Sequence, residues 1–434
     1  MKGSVEKIAG SVTAPKGFRA SGVHCGVKTR GTGKGSDKGP GKKDVALVAS
    51  DRLASVAGTF TSNQVVAAPV VVSLERARGD HGRAVVLNSG NANACTGAQG
   101  MADAEAMTEQ VARGLEIPVE HTMVCSTGRI GLPLPMDVVR RGIDDALSCL
   151  SDSREAAADA AAAIMTSDTR PKEYAVEVRG PDGRAARIGG IAKGAGMIEP
   201  RMRSTLDLPH GGLHATMLCV ITTDFSVAPD LLKRALRSSI GQSFNCITVD
   251  GDMSTNDTVL VLANGASDTP SVVDLDEEWG RLFLEGLDAV TLALAKMIVS
   301  DGEGITKVIT LKVEGARNDE EADAVARAVG NSSLVKTSWC GGDPNWGRIM
   351  DAIGYAQAKI IESLIDIGYV APGGREPIWA TLGGIDSGSS FESQKEITTL
   401  PEFEIWIRLG VGEGKATLYA ADLTEGYVEY NLGE

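Results

Sequence analysis

The chain is 434 residues long, 43% hydrophobic and 23% charged, which is enough for two domains or one large layered one with an ample core. Its 57 acidic against 43 basic residues leave a formal charge of −14, which excludes the basic footprint that nucleic acid or an anionic membrane surface demands. The N-terminal stretch MKGSVEKIAGSVTAPKGF has no apolar core of signal-peptide length, and no later stretch approaches the roughly 18 apolar residues of a membrane helix, so a cytoplasmic protein is expected.

In chain order, GTGKGSDKGPGKK (residues 31–43) comes first and reads as a flexible surface loop of Gly, Lys and Ser. It is not a phosphate-binding loop, since GxxxxGK[ST] is absent and no strand precedes it. DVALVAS and GRAVVLNSGNANACTGAQG then share one pattern, an apolar strand run followed in the second case by a Gly/Asn-rich turn. MADAEAMTEQVARGL continues as an amphipathic helix. MVCSTGRIGLPLP is a strand that ends at Thr127-Gly128, and REAAADAAAAIM is helical. The Gly- and Pro-containing stretch from Lys193 to Ala215 reads as an exposed, irregular loop feeding the apolar strand HATMLCVITTD. LLKRALRSSI and WGRLFLEGLDAVTLALAKMIV add two helices. The mixture predicts a layered α/β architecture, without internal repeats. Seven cysteines lie far apart with no CxxC pair, so reduced, mostly buried thiols are expected.

Thr216 begins the strand that follows this loop. Locally it is an ordinary β-branched strand residue, and that reading stays open. The alternative is a nucleophile. A threonine hydroxyl needs an adjacent base, and breaking the Ala215–Thr216 bond would supply one, an α-amine with a reference pKa of about 7.7 to 8.0. Acyl chemistry passes through an oxyanion, and Thr127-Gly128 is a candidate donor pair: glycine lets a backbone N–H approach closely, and the threonine hydroxyl is a second donor. A plain strand-ending turn is the competing reading. His210 and His214 have i,i+4 spacing, but Pro209 and Gly211-Gly212 make a helix there improbable, so no metal site is expected.

The ordered series VLNSGNANACTG, CSTGRIGLPLP, IMTSDT, GGIAKGAGM, ATMLCVITTD, VDGDMSTNDT, SDGEGITK and GGDPNWGRI resembles the ornithine acetyltransferase family, bifunctional or monofunctional glutamate N-acetyltransferases of arginine biosynthesis, from about Gly17 to Asn431. The resemblance implies a layered α/β sandwich with two β-sheets between helices, similar to ornithine acetyltransferases and DmpA. It implies self-cleavage at Ala215–Thr216 into an N-terminal chain (1–215) and a C-terminal chain (216–434), commonly paired as a heterotetramer of two of each. Thr216 matches the nucleophile and Thr127 and Gly128 the oxyanion pair. Thr166, Lys193, Thr216, Glu303 and Asn431 match positions that bind the amino-acid substrate. Lys193 would then hold an α-carboxylate and Glu303 a distal ammonium. Asp343, Asn345 and Arg348 are read as structural, a turn stitched by Asx contacts and an arginine clamp.

The expected activity is acetyl transfer from N-acetylornithine to glutamate by a ping-pong route, with no metal or organic cofactor; acetyl-CoA stays open as a second acetyl donor. Two departures stand out. The segment RMRSTLDLPHGGLH before Thr216 is longer than the family usually carries, so slower self-cleavage is expected. YVEYNLGE ends shortly after Asn431 without the family's final Ser or Thr, so weaker closure over the substrate is expected. The rival readings are a self-processing aminopeptidase or amidase of related fold, and an unprocessed, non-catalytic homologue.

Overall fold

The computed structural model describes residues 3–30, 41–60, 62–65, 67–206 and 215–432. Among them the strand runs of the sequence assemble into two mixed sheets, which belong to two compact units. The first unit takes residues up to Asn245 and Met253–Ile298; the second takes Cys246–Asp252 and Val299–Leu432.

The sheet of the first unit contains β1 (Ser4–Ile8), β2 (Phe18–Val23), β3 (Val45–Phe60), β4 (His81–Asn91), β5 (Thr122–Arg129), β6 (Lys172–Arg179), β7 (Ala185–Lys193), β8 (Arg203–Ser204), β9 (Ala215–Thr223) and, after β10 (Ile247–Thr248) of the other sheet, β11 (Asn256–Ala263). Its main order is β1-β6-β7-β9-β11-β3-β4-β5, with β2 and β8 also pairing to β3. The β9–β11 and β4–β5 pairs are parallel. Strand β9 lies between β7 and β11, so residues on both sides of the Ala215–Thr216 bond share one sheet.

Alternation along β3 explains why its sequence is apolar almost throughout. Ala46, Val48, Ala54 and Val56 enter one core, which contains Ala157, Ala160 and Ala161 of the helix Arg154–Ala163. Val45, Leu47 and Ala49 enter another, with Ala104, Met107 and Val111 of the helix Gly97–Leu115 and Val139 and Ile143 of the helix Met136–Ser148. Strand side chains point alternately to opposite faces, and a strand covered on both faces must therefore be apolar at every step. The helices of this unit are α1 (Ala68–Ala77), α2 (Gly97–Leu115), α3 (Met136–Ser148), α4 (Arg154–Ala163), α5 (Pro229–Gly241) and α6 (Glu278–Val299). Each helical stretch read from the sequence falls within one of them, except that REAAADAAAAIM overruns α4, which ends at Ala163.

The second sheet has the order β10-β17-β12-β16-β13-β14-β15, where β12 is Val308–Ala316, β13 Asp366–Val370, β14 Ile378–Leu382, β15 Ile385–Asp386, β16 Glu402–Arg408 and β17 Gly414–Ala421. Ile309, Leu311 and Val313 of β12 and Phe403, Ile405 and Ile407 of β16 form a core with apolar residues of α7 (Asp319–Gly330), α8 (Ser333–Cys340) and α9 (Trp346–Gly354). The alternate residues of the same strands are only partly buried and carry cross-strand ion pairs, Arg408–Glu314 at 2.7 Å and Lys312–Glu404 at 2.6 Å. Two shorter helices complete the unit, α10 (Phe391–Thr398) and α11 (Glu425–Asn431).

GGDPNWGRI is structural, as its Asx chemistry predicts. Asn345 caps α9 by accepting from the Arg348 N–H and donates to Asp343 at 3.0 Å, while the Arg348 guanidinium donates to the Leu334 carbonyl at 2.7 Å.

Two expectations need correction. All seven cysteines are free, but only Cys125 and Cys219 are buried, while Cys95 and Cys149 are exposed. The loop after Lys193 is irregular without being loose over Gly194–Leu206: Ala195, Ile198, Met202 and Ser204 are buried, Met202 exchanges two hydrogen bonds with Asn245, and β8 pairs with the end of β3. The rest of the loop before Ala215, with His210 and His214, lies outside the described residues, as does most of GTGKGSDKGPGKK.

Candidate functional site: Thr127, Lys193 and the start of β9

The parallel pair β4–β5 carries apolar residues until both strands reach polar sequence together, Asn88-Ser89-Gly90-Asn91 beside Ser126-Thr127-Gly128-Arg129, where the register becomes irregular. Side chains replace the ladder there. The Ser126 hydroxyl donates to Asn88 Oδ1 at 2.6 Å, Asn88 Nδ2 donates to the Asn91 carbonyl at 2.9 Å, and Asn91 Nδ2 donates to the Leu132 carbonyl at 3.0 Å. From β11, Asn256 Nδ2 reaches the carbonyls of Ser126 (2.8 Å) and Ala92 (2.6 Å). Gly128 has φ +130°, and a Cβ there would lie 2.4 Å from the Gly90 carbonyl carbon. Only glycine fits, and the requirement fixes the backbone immediately after Thr127.

Thr127 is fully buried. Its Oγ1 accepts a hydrogen bond from Lys193 Nζ at 3.2 Å, which leaves the threonine O–H as a donor polarised by an ammonium group. Lys193 is the last residue of β7 and pairs with Leu218 of β9, so its backbone stands two residues from Thr216 on the neighbouring strand.

Lys193 is 1% exposed and belongs to a buried charge network that the sequence pattern does not announce. Asp168, in the loop after α4, accepts from Lys172 Nζ at 2.5 Å and from the Gly194 N–H at 2.7 Å through one oxygen, and from the Thr166 N–H at 2.9 Å through the other. Burial pushes the Asp168 carboxyl up, but the attraction of Lys193 and Lys172 and the hydrogen bonds from Gly194 and Lys172 outweigh it and hold the group well below the usual carboxylate range. Thr166 is thereby tied to Gly194 through one carboxylate. Lys28 adds a cation to this field. Burial pushes it down to about 8, against the raising influence of Asp44 and Asp168, and Lys193 is among the charges that lower it. Asp168 thus places two buried lysine ammonium groups within one hydrogen-bonded field beside Thr127.

Glu303 and Asn431 lie in the second unit and are brought together there, Asn431 Nδ2 donating to Glu303 Oε2 at 3.2 Å. Helix α11, which ends at Asn431, is docked on the Glu303-Gly304 turn. Thr424 caps the helix and donates to the Gly304 carbonyl at 2.5 Å, and Gly304 has φ +64°, where a Cβ would come within 2.4 Å of Gly426. Among the described residues no group of three or more His, Cys, Asp or Glu side chains could hold a metal ion. Burial pushes the Cys125 thiol, two residues before Thr127, up to about 12, which leaves it a poor nucleophile.

Asp168, Lys172, Asn88 and Asn256 were missed by sequence reasoning. The IMTSDT and VDGDMSTNDT motifs contained two of them, and the i,i+4 spacing of Asp168 and Lys172 was the available hint. The arrangement predicts that Thr127→Ala lowers turnover by about 10²-fold or more while leaving the fold intact, as expected for loss of one oxyanion donor. Steady-state kinetics beside circular dichroism check it; wild-type turnover in a folded Thr127→Ala protein would make CSTG a plain turn.

Comparison with known proteins adds an independent finding. The sequence model of the ArgJ family matches residues 19–432. The arginine biosynthesis bifunctional protein ArgJ of Caldanaerobacter subterraneus subsp. tengcongensis is 41% identical over 431 residues, 98% of this chain and 99% of that protein. Its namesake in Symbiobacterium thermophilum is 44% identical over 432 residues, 98% and 99% of the two chains. The glutamate N-acetyltransferase of Methanocaldococcus jannaschii is 42% identical over 429 residues, 98% of each.

Proposed function

We propose, from a chain that belongs to the ArgJ family, that it moves the acetyl group of N2-acetylornithine to glutamate through an acetyl ester on Thr216, after cutting itself between Ala215 and Thr216. The names of its relatives support acetyl transfer to glutamate in arginine biosynthesis. The observation that carries the residue roles is the buried Lys193–Thr127 contact at 3.2 Å, at the end of the sheet where β9 begins.

In this reading the Thr216 hydroxyl first attacks the Ala215 carbonyl. The peptide C–N bond breaks as the acyl group shifts to oxygen, which frees the α-amine of Thr216, and water then hydrolyses the resulting ester, releasing the Ala215 carboxylate and restoring the Thr216 hydroxyl. In turnover that amine takes the hydroxyl proton while Oγ1 bonds to the acetyl carbon. Thr127 and the backbone N–H of Gly128 receive the oxyanion. Collapse breaks the amide bond, the proton passes to the departing amine of ornithine, and glutamate's amine then takes the acetyl group by the reverse sequence. Lys193 holds the substrate α-carboxylate, with Thr166 beside it through Asp168. Glu303 and Asn431 are assigned to substrate binding on the family correspondence. The enzyme works in the cytoplasm as a heterotetramer of chains 1–215 and 216–434.

The test compares kcat/KM for N-acetylornithine and N-acetylglutamate as donors. Glu303→Gln should slow N-acetylornithine by about 10-fold to 150-fold, the value of a charge-assisted hydrogen bond, and N-acetylglutamate less. Equal slowing of both donors removes Glu303 as the reader of the distal amine. Release of acetate in place of acetylated glutamate overturns the transferase reading in favour of a hydrolase.

A further inference from the structure

We propose that Asp257 is a positioning residue for the Thr216 terminus, holding the start of β9 and supplying the counter-charge for its α-ammonium; this rests on the acyl-transfer reading above. The register of the β9–β11 pair carries the argument. Asn256 is level with Ala215 and Thr258 with Leu218, so two steps along β11 span three along β9. The extra residue falls within Thr216–Met217, a bulge placed at the nucleophile. Bulges re-aim a strand where regular pairing would not.

Asp257 is the residue of β11 opposite that bulge. It is fully buried, and its Oδ1 accepts the N–H of Met217. The neighbouring residues anchor it. Thr255 Oγ1 donates to Asn256 Oδ1 at 2.8 Å, and Asn256 bonds the Ser126 carbonyl, so Asp257 is held at a fixed place relative to Thr127. Within one residue the amide nitrogen of Met217 and the α-nitrogen of Thr216 are about 3 Å apart by covalent geometry. A carboxylate that accepts the first is thus within reach of the second.

The chemistry needs such a group. When the Thr216 hydroxyl proton moves to the α-nitrogen and the Oγ1–C bond forms, an ammonium appears opposite the fully buried Asp257, on a strand whose neighbour already carries the Lys193 ammonium. Desolvating a cation there without a partner is costly. Asp257 stabilises it until the proton passes to the departing amine as the amide C–N bond breaks. No further reactant enters.

The test uses the full-length protein. Asp257→Asn keeps an oxygen to accept the Met217 N–H and removes only the charge; Asp257→Glu keeps the charge. For Asp257→Asn the expected result is a melting temperature close to wild type, unchanged KM for N-acetylornithine, and kcat lower by about 10-fold to 150-fold. Asp257→Glu should recover part of that kcat. A folded Asp257→Asn protein with wild-type kcat overturns the proposal, and so does a loss shared equally by kcat and KM. If Asp257→Asn is recovered only unfolded, a folded Asp257→Glu protein decides: kcat above one-tenth of wild type supports the charge role, and kcat below that overturns it. Failure of the wild-type protein to form acetyl-Thr216 is a separate result, which sinks the acyl-transfer reading itself.

Discussion

Thr216→Ala should run as one uncut chain and show no acetyl transfer, a loss of about 10⁴-fold or more in kcat/KM, because the nucleophile and its own α-amine vanish together. Thr216→Ser keeps both the hydroxyl and the amine, so it should still be cut and retain part of the activity. Denaturing gels, N-terminal sequencing and the same donor assay separate the outcomes. A cut Thr216→Ala chain starting at residue 216 would show that another group performs the cleavage, whereas an active but uncut one would make cleavage irrelevant to turnover. Both would remove the reason for a threonine at the head of β9.

Asp168→Ala carries the largest expected effect on stability. The Asp168–Lys172 pair is 0% exposed on both side chains, and breaking a buried pair by removing one partner costs about 3–5 kcal/mol, because a bare charge stays behind. Here two ammonium groups, Lys172 and Lys193, lose their shared counter-ion, and the N–H groups of Thr166 and Gly194 lose their acceptor. Urea unfolding at neutral pH should show the drop, and kcat/KM should fall with it because Lys193 is no longer held. The sign with pH follows from the depressed carboxyl. Its contribution is complete above the unfolded-state pKa of about 3.9 and is lost as pH falls through the lower native value. Asp168→Asn should therefore flatten the acid side of the stability profile. An Asp168→Ala protein as stable as wild type would mean that the two lysines are satisfied without Asp168.

The parts of the fold that sequence reading captured are those where burial alone writes the pattern. DVALVAS, GRAVVLN and TMLCVITT are apolar because β3, β4 and β9 are covered on both faces, and REAAADAAAA and LLKRALRSSI repeat at the helical period because one face is buried. The capping chemistry of Asn345 was legible for the same local reason. Long-range choices were not. Ile247–Thr248 pairs with Tyr419–Ala420, which takes Cys246–Asp252 into the second unit, and nothing near residue 247 announces a partner that far away. Nothing local marks Lys172 or Lys193 as buried; both are held by one aspartate whose role appears only when the end of β7 meets the loop after α4. Thr127-Gly128 stood out in the sequence as a strand end, while Asn88 and Asn256, which bond to Ser126 beside it, did not, since asparagine in a turn is locally unremarkable.

The central claim is that Thr216, freed as a chain terminus, carries the acetyl group. Intact-mass spectrometry of the purified wild-type protein, before and after brief exposure to N-acetylornithine, tests it most directly. The account predicts two chains, the second beginning TMLCV, and a gain of one acetyl group that maps to Thr216 and disappears when glutamate is added. A single chain of the full 45.2 kDa mass that stays unacetylated while acetylglutamate accumulates would contradict it.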